Sequence, residues 1–177
     1  VRIDTSVFIP KRLFRFCGER GLPVTVHIDY EFSTGRSYPR PNWWYGGGIE
    51  AFERAVQACP ETHFIGHAPG FWAHISNDSL YKLEPYPKGA VVLEGAVPRM
   101  LRAYPNLCAD LSAGSALNAL KRDPAFTRDF LIEFQDRLLY ARDNFSNDLQ
   151  QFLATLDLPG AAKDKIFWAN AARLARG

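Results

Sequence analysis

Histidine is scarce in this chain, four residues in 177, and cysteine scarcer still. The three cysteines, Cys17, Cys59 and Cys108, are far apart and form no C-x-x-C pair. That spacing argues against a disulfide framework and against a structural zinc cluster. It fits small buried hydrophobes in a reducing, cytoplasmic compartment. No apolar run reaches membrane-spanning length, and no signal-peptide pattern is present. Basic residues do not run together and the formal net charge is only +2, which argues against a nucleic-acid surface. The first residue is Val1 rather than Met, as in a processed or truncated product.

What is present is ordinary in bulk and unusual in detail. The chain is 47% hydrophobic and 23% charged, a soluble globular composition with enough length for one domain, 1–177. Aromatics reach 14%, with 13 Phe, seven Tyr and four Trp. Strand and helix patterns alternate from end to end. Val1–Thr5 reads as the tail of a strand, and Pro10 opens a helix with Leu13, Phe16 and Cys17 on one face, ended by Gly21. Pro23–Ile28, His63–His67, Asn106–Asp110 and Arg137–Arg142 read as short buried strands. Helices are expected at Ile49–Cys59, Val97–Tyr104, Leu149–Leu156 and Ala161–Leu174. Asp123-Pro124, an N-cap and first-turn pair, opens another containing Phe126, Phe130 and Phe134. A repeated βα unit of this kind implies parallel strands joined by crossovers, hence an α/β fold.

Two connections are long, Asp29–Gly48 and Ala68–Glu94. Both follow a strand and precede a helix, the functional side of parallel α/β folds. Tyr30, Phe32, Tyr38, Trp43, Trp44 and Tyr45 crowd the first; Phe71, Trp72, Tyr81 and Tyr86 crowd the second. Disordered loops are poor in aromatics, so these read as ordered pocket walls, with Trp43, Trp44 and Trp72 as candidate substrate contacts.

His27, His67 and Asp143 close three different strands on the same rim. Imidazole and carboxylate suit zinc and similar divalent ions, and each can serve as a general base. Asp110 ends the remaining strand, ahead of the small turn Leu111–Ser115. Asp110 and Ser112 there can hold a polar group of a substrate or hydrogen-bond a neighbouring ligand side chain. His74, in the second long loop, is a further substrate candidate. Asp29 and Glu31 are weaker ones, and His63, at the opposite strand end, is expected to play no catalytic part.

The stretches GLPVTVHIDY, ETHFIGHAPGFWAHIS, YPNLCADLSAGSALNALKRDPAF, FQDRLLYARD and KIFWANAARL together resemble the amidohydrolase-related family of metal-dependent (β/α)8 barrels. That family includes aminocarboxymuconate-semialdehyde decarboxylase and related hydrolases. The resemblance implies that the chain is the C-terminal part, about strands four to eight, of a TIM barrel. It implies that His27 is a metal ligand, that His67 acts as base or substrate contact, and that Asp143 binds the metal or the reactive water. It makes Asn170 structural and Val1–Thr5 the end of strand four. The family's strand-one H-x-H pair has no counterpart here, and its usual Gly-Thr-Asp or Gly-Ser-Asp is Ala141-Arg142-Asp143.

The resemblance therefore implies a divalent metal, zinc first and manganese second, and a small carbonyl or carboxylate substrate. The reaction is hydrolysis of a C–N or C–O bond, or non-oxidative decarboxylation. Two alternatives stand beside it. Without the H-x-H pair the chain is an inactive fragment or a metal-free small-molecule binding module; or His27, His67 and Asp143 alone hold the metal as two imidazoles and a carboxylate. An open barrel also exposes strand edges, which predicts self-association, as a homo-oligomer or as poorly soluble material.

Overall fold

A computed structural model describes residues 8–29 and 48–176 of the chain. The expected strand at Val1–Thr5 and the aromatics of the first long loop, Trp43 and Trp44 among them, lie outside the described residues.

Four strands form one parallel sheet in chain order: β1 (Val24–His27), β2 (Phe64–His67), β3 (Leu107–Leu111) and β4 (Leu138–Tyr140). Helices fill every crossover: α1 (Phe8–Glu19) precedes β1, α2 (Gly48–Ala58) joins β1 to β2, and α3 (Pro69–Trp72) and α4 (Ala96–Ala103) lead from β2 to β3. Next come α5 (Ala113–Lys121) and α6 (Pro124–Glu133) before β4, then α7 (Asp148–Thr155). The chain closes with α8 (Gly160–Asp164), a π-helical turn (Lys165–Ala169) and α9 (Asn170–Leu174), which run on without a break.

Local chemistry explains the boundaries. Asp123 caps α6 by accepting a hydrogen bond from the Phe126 backbone N–H at 3.1 Å, with Pro124 in the first turn. Phe130 of that helix and Phe134, which caps its C-terminal end, are buried, as their spacing predicts. The first helix departs from expectation. It begins at Phe8, and Leu13 and Phe16 are 46% and 48% exposed, while Phe14 is buried against the Phe64 ring at 5.2 Å. The apolar stripe of α1 thus faces away from the described core. The turn expected at Leu111–Ser115 is also short-lived, because Ala113 already starts α5, whose Ala116, Ala119 and Leu120 are buried.

Alternation along the strands sorts the core. Val26, Phe64, Leu107, Ala109, Leu111 and Leu138 join the cluster beneath the helices, burial that supplies most of the folding drive. Thr25, His27, Ile65, His67, Cys108, Asp110 and Leu139 take the other face by the period-two rule. Gly66 belongs to the helix side, where an added Cβ would stand 2.2 Å from the Phe71 ring. At Gly70 a Cβ would lie 2.7 Å from the Ile28 carbonyl. These two glycines let α3 press against the ends of β1 and β2, and so fix the chain just beyond His27 and His67.

Candidate active site

The register of the sheet puts the candidate residues in one row. His27 pairs with His67 across β1 and β2. Gly66 pairs with Ala109, so His67 stands beside Asp110 on β3, and Asp110 pairs with Leu139 on β4. The row crosses the C-terminal ends of the strands, where α/β barrels place their chemistry.

Within it, His67 is the most constrained group. Its Nδ1 lies 2.9 Å and 3.1 Å from the two Asp110 carboxylate oxygens and 3.2 Å from the Ser112 hydroxyl. A carboxylate accepts only, so Nδ1 carries the proton and Nε2 is the nitrogen left as an acceptor in the neutral ring. The Asp110 hydrogen bond raises the His67 pKa above the ordinary histidine value; burial opposes it, and the charges of Asp110 and Asp143 add to it. Asp110 is held from behind, since the buried Trp72 indole N–H donates to its backbone carbonyl at 3.0 Å.

His27 sits beside this pair, its ring centroid 5.3 Å from that of His67. Its side chain is 59% exposed, and its Nε2 lies 3.9 Å from a carboxylate oxygen of the buried Asp29. Asp143 is exposed and lies beyond β4, which ends at Tyr140 rather than running to Arg142. It is near enough for its charge to act on both His67 and Tyr86. Arg142 turns elsewhere and donates to the Phe145 carbonyl.

Two expectations change. Trp72 is not on a pocket wall: it is 1% exposed, packed between Phe71 and Phe130, and supports the site from beneath. Asp110 is an interior strand residue and not a strand end, since β3 runs on to Leu111. His74 is buried as well, stacked on Tyr81 at 4.2 Å. It lines a separate open groove of about 710 Å³ with Glu50, Glu53, Asp78 and Arg99. Burial drives its pKa down to about 4. His63 lies at the opposite strand end, beside Arg173 and Leu174.

A metal needs more donors than the described residues assemble. Among them, no three His, Cys, Asp or Glu side chains are grouped closely enough to hold an ion. His27, His67 and Asp143 are accordingly not drawn together as a three-donor cluster in this structure. Among the same residues, no helix is long and apolar enough to cross a membrane.

Backbone conformation marks the rim too. Ala68 and Ala113, directly after His67 and Ser112, have φ of 84° and 47°, a region that side chains other than glycine rarely occupy.

Four parallel strands in chain order with helical crossovers, and a histidine–carboxylate pair at their C-terminal ends, make a partial TIM barrel of the amidohydrolase type. The chain belongs to the amidohydrolase family, whose sequence pattern it matches over residues 3–176. Among solved structures it is similar to a TIM-barrel protein from Bordetella bronchiseptica, with a TM-score of 0.62 and 19% identity. That match covers 99% of this chain and 52% of the other. It is also similar to 2,6-dihydroxybenzoate decarboxylase from Rhizobium, with a TM-score of 0.51 and 14% identity over 99% of this chain and 57% of that one. The chain thus spans little more than half the length of these relatives. No curated protein matches it by sequence.

Proposed function

We propose that this chain carries the proton-transfer half of a metal-dependent amidohydrolase site acting on a small carbonyl or carboxylate substrate. The reaction is hydrolysis of a C–N or C–O bond or a non-oxidative decarboxylation. The observation that carries this reading is the Asp110–His67 pair beside His27 at the C-terminal ends of three adjacent strands.

In this reading His67 is the catalytic acid and base. Asp110 fixes its tautomer, so proton exchange with substrate takes place at Nε2. Asp143, across the rim, is the second proton acceptor. His27 and Asp143 are the donors that would hold a divalent ion, zinc first and manganese second, together with ligands from outside the described residues. Such an ion lowers the pKa of a bound water to about 7.

The test is elemental analysis of the full-length protein purified without chelators, beside a His27→Ala, Asp143→Ala double variant. About one metal per chain, lost in the variant, supports the reading. No metal in either protein favours a metal-free binding module. A substrate screen follows, with 2,6-dihydroxybenzoate for decarboxylation and small lactones and amides for hydrolysis.

A further inference from the structure

Between α3 and α4 the chain makes a loop closed on itself. The Asn77 N–H donates to the Val92 carbonyl and the Val92 N–H to the Ser76 hydroxyl, both at 2.9 Å. A compact loop of this length with closed ends is held by its own contacts and is often functional. This one is also fastened to α5 and the residue that follows it. Arg122, whose side chain is 2% exposed, pairs with Asp78 at 2.6 Å and donates to the carbonyls of Gly89 and Ala90. Asn118 donates to the Pro87 carbonyl at 2.9 Å. A buried ion pair adds little net stability over apolar packing of the same volume. What it adds here is a fixed position for residues 86–90.

That position places Tyr86 at the rim. Its ring edge stands 3.9 Å from where a Cβ on Gly114 would be, two residues beyond Ser112. The charges of Asp29, past β1, and Asp143, past β4, both reach it. It is 40% exposed. Burial, and behind it these two charges, hold the phenol pKa above its ordinary value, so the hydroxyl stays protonated and has a hydrogen to donate.

We propose that Tyr86, held over the rim by the loop that Arg122 pins, donates a hydrogen bond to a carbonyl or carboxylate oxygen of the substrate and sets the selectivity of the site. This rests on the reading of the rim as the reaction site. It supplies a neutral donor where the carboxylates of Asp29, Asp110 and Asp143 would otherwise repel an anionic substrate group.

The experiment is a benzoate titration of the full-length protein followed by the His67 imidazole resonances. Tyr86→Phe removes only the hydroxyl of a 40% exposed residue and leaves the fold intact. It raises the benzoate Kd by about fivefold to tenfold, the loss of one hydrogen bond, without moving the His67 shifts of the free protein. Arg122→Met, folded by its circular dichroism, weakens binding to a similar degree. Equal benzoate affinity in the wild type and Tyr86→Phe, with His67 responding in both, overturns the proposal alone. No response of His67 in the wild type overturns the rim reading and this proposal with it.

Discussion

Asp110 holds the Nδ1 edge of His67 from the neighbouring strand at 2.9 Å, across 43 residues of chain. The pair is assembled by sheet register, so either residue can be changed without disturbing the strands that carry them.

For this reason His67→Ala is expected to cost about 10²- to 10⁴-fold in kcat/KM on whichever substrate is found, the usual range for a general acid–base. Asp110→Asn should cost less, about 10- to 100-fold, since it removes one charge-assisted hydrogen bond while His67 stays in place. Nitrogen chemical shifts of the His67 ring check the cause: the Nδ1–H tautomer should lose its dominance in Asp110→Asn. An unchanged ring spectrum would contradict the assigned role.

The same pair makes a pH-dependent contribution to stability. The folded His67 pKa is raised by Asp110, so the contribution is fully present below the unfolded value of about 6.5 and is lost as pH rises through the folded value. The wild type should therefore exceed Asp110→Asn in denaturant midpoint most clearly on the acid side of that window. The gap should narrow towards alkaline pH. A gap that widens with rising pH would refute the sign.

His74 acts the other way. Burial holds its folded pKa down to about 4, so the unfolded chain takes up a proton first as pH falls from about 6.5. The wild type should lose up to about 3 kcal/mol between those limits on this account. His74→Phe, which keeps the stack on Tyr81, should flatten that acid limb in urea melts at several pH values.

Asn170 is 2% exposed and donates to the carbonyls of Gln135 and Leu138 at 2.7 Å and 2.8 Å, clipping the last helix to β4. Asn170→Ala leaves both acceptors without this donor and should destabilise the chain by about 2 kcal/mol in chemical denaturation. A change within experimental scatter would show that water replaces the amide.

Among the described residues β1 pairs only with β2, and α1 exposes Leu13 and Phe16. A strand edge without a partner among these residues, together with an exposed apolar helix face, invites pairing with another chain. The isolated chain should sediment as an oligomer, and Leu13→Lys with Phe16→Lys should shift it towards monomer. A monodisperse wild-type monomer would contradict this.

The sequence alone determined the alternation of elements and the rim on which His27 and His67 lie, because strand length, β-branched runs and the Asp123-Pro124 cap are local signals. It also marked Asn170, through a motif whose residues are contiguous. Only the tertiary structure decided which aromatics are walls and which are core. Trp72 and Tyr86 belong to the same aromatic loop, yet one is buried under β3 and the other stands over the rim. Their difference comes from Gly66 and Gly70, which draw α3 onto the strands, and from Arg122, which pins the loop far along the chain. The sequence offered Asp110 as a hydrogen-bond partner for some neighbouring side chain; that the neighbour is His67 was decided by strand register, set by packing between distant segments.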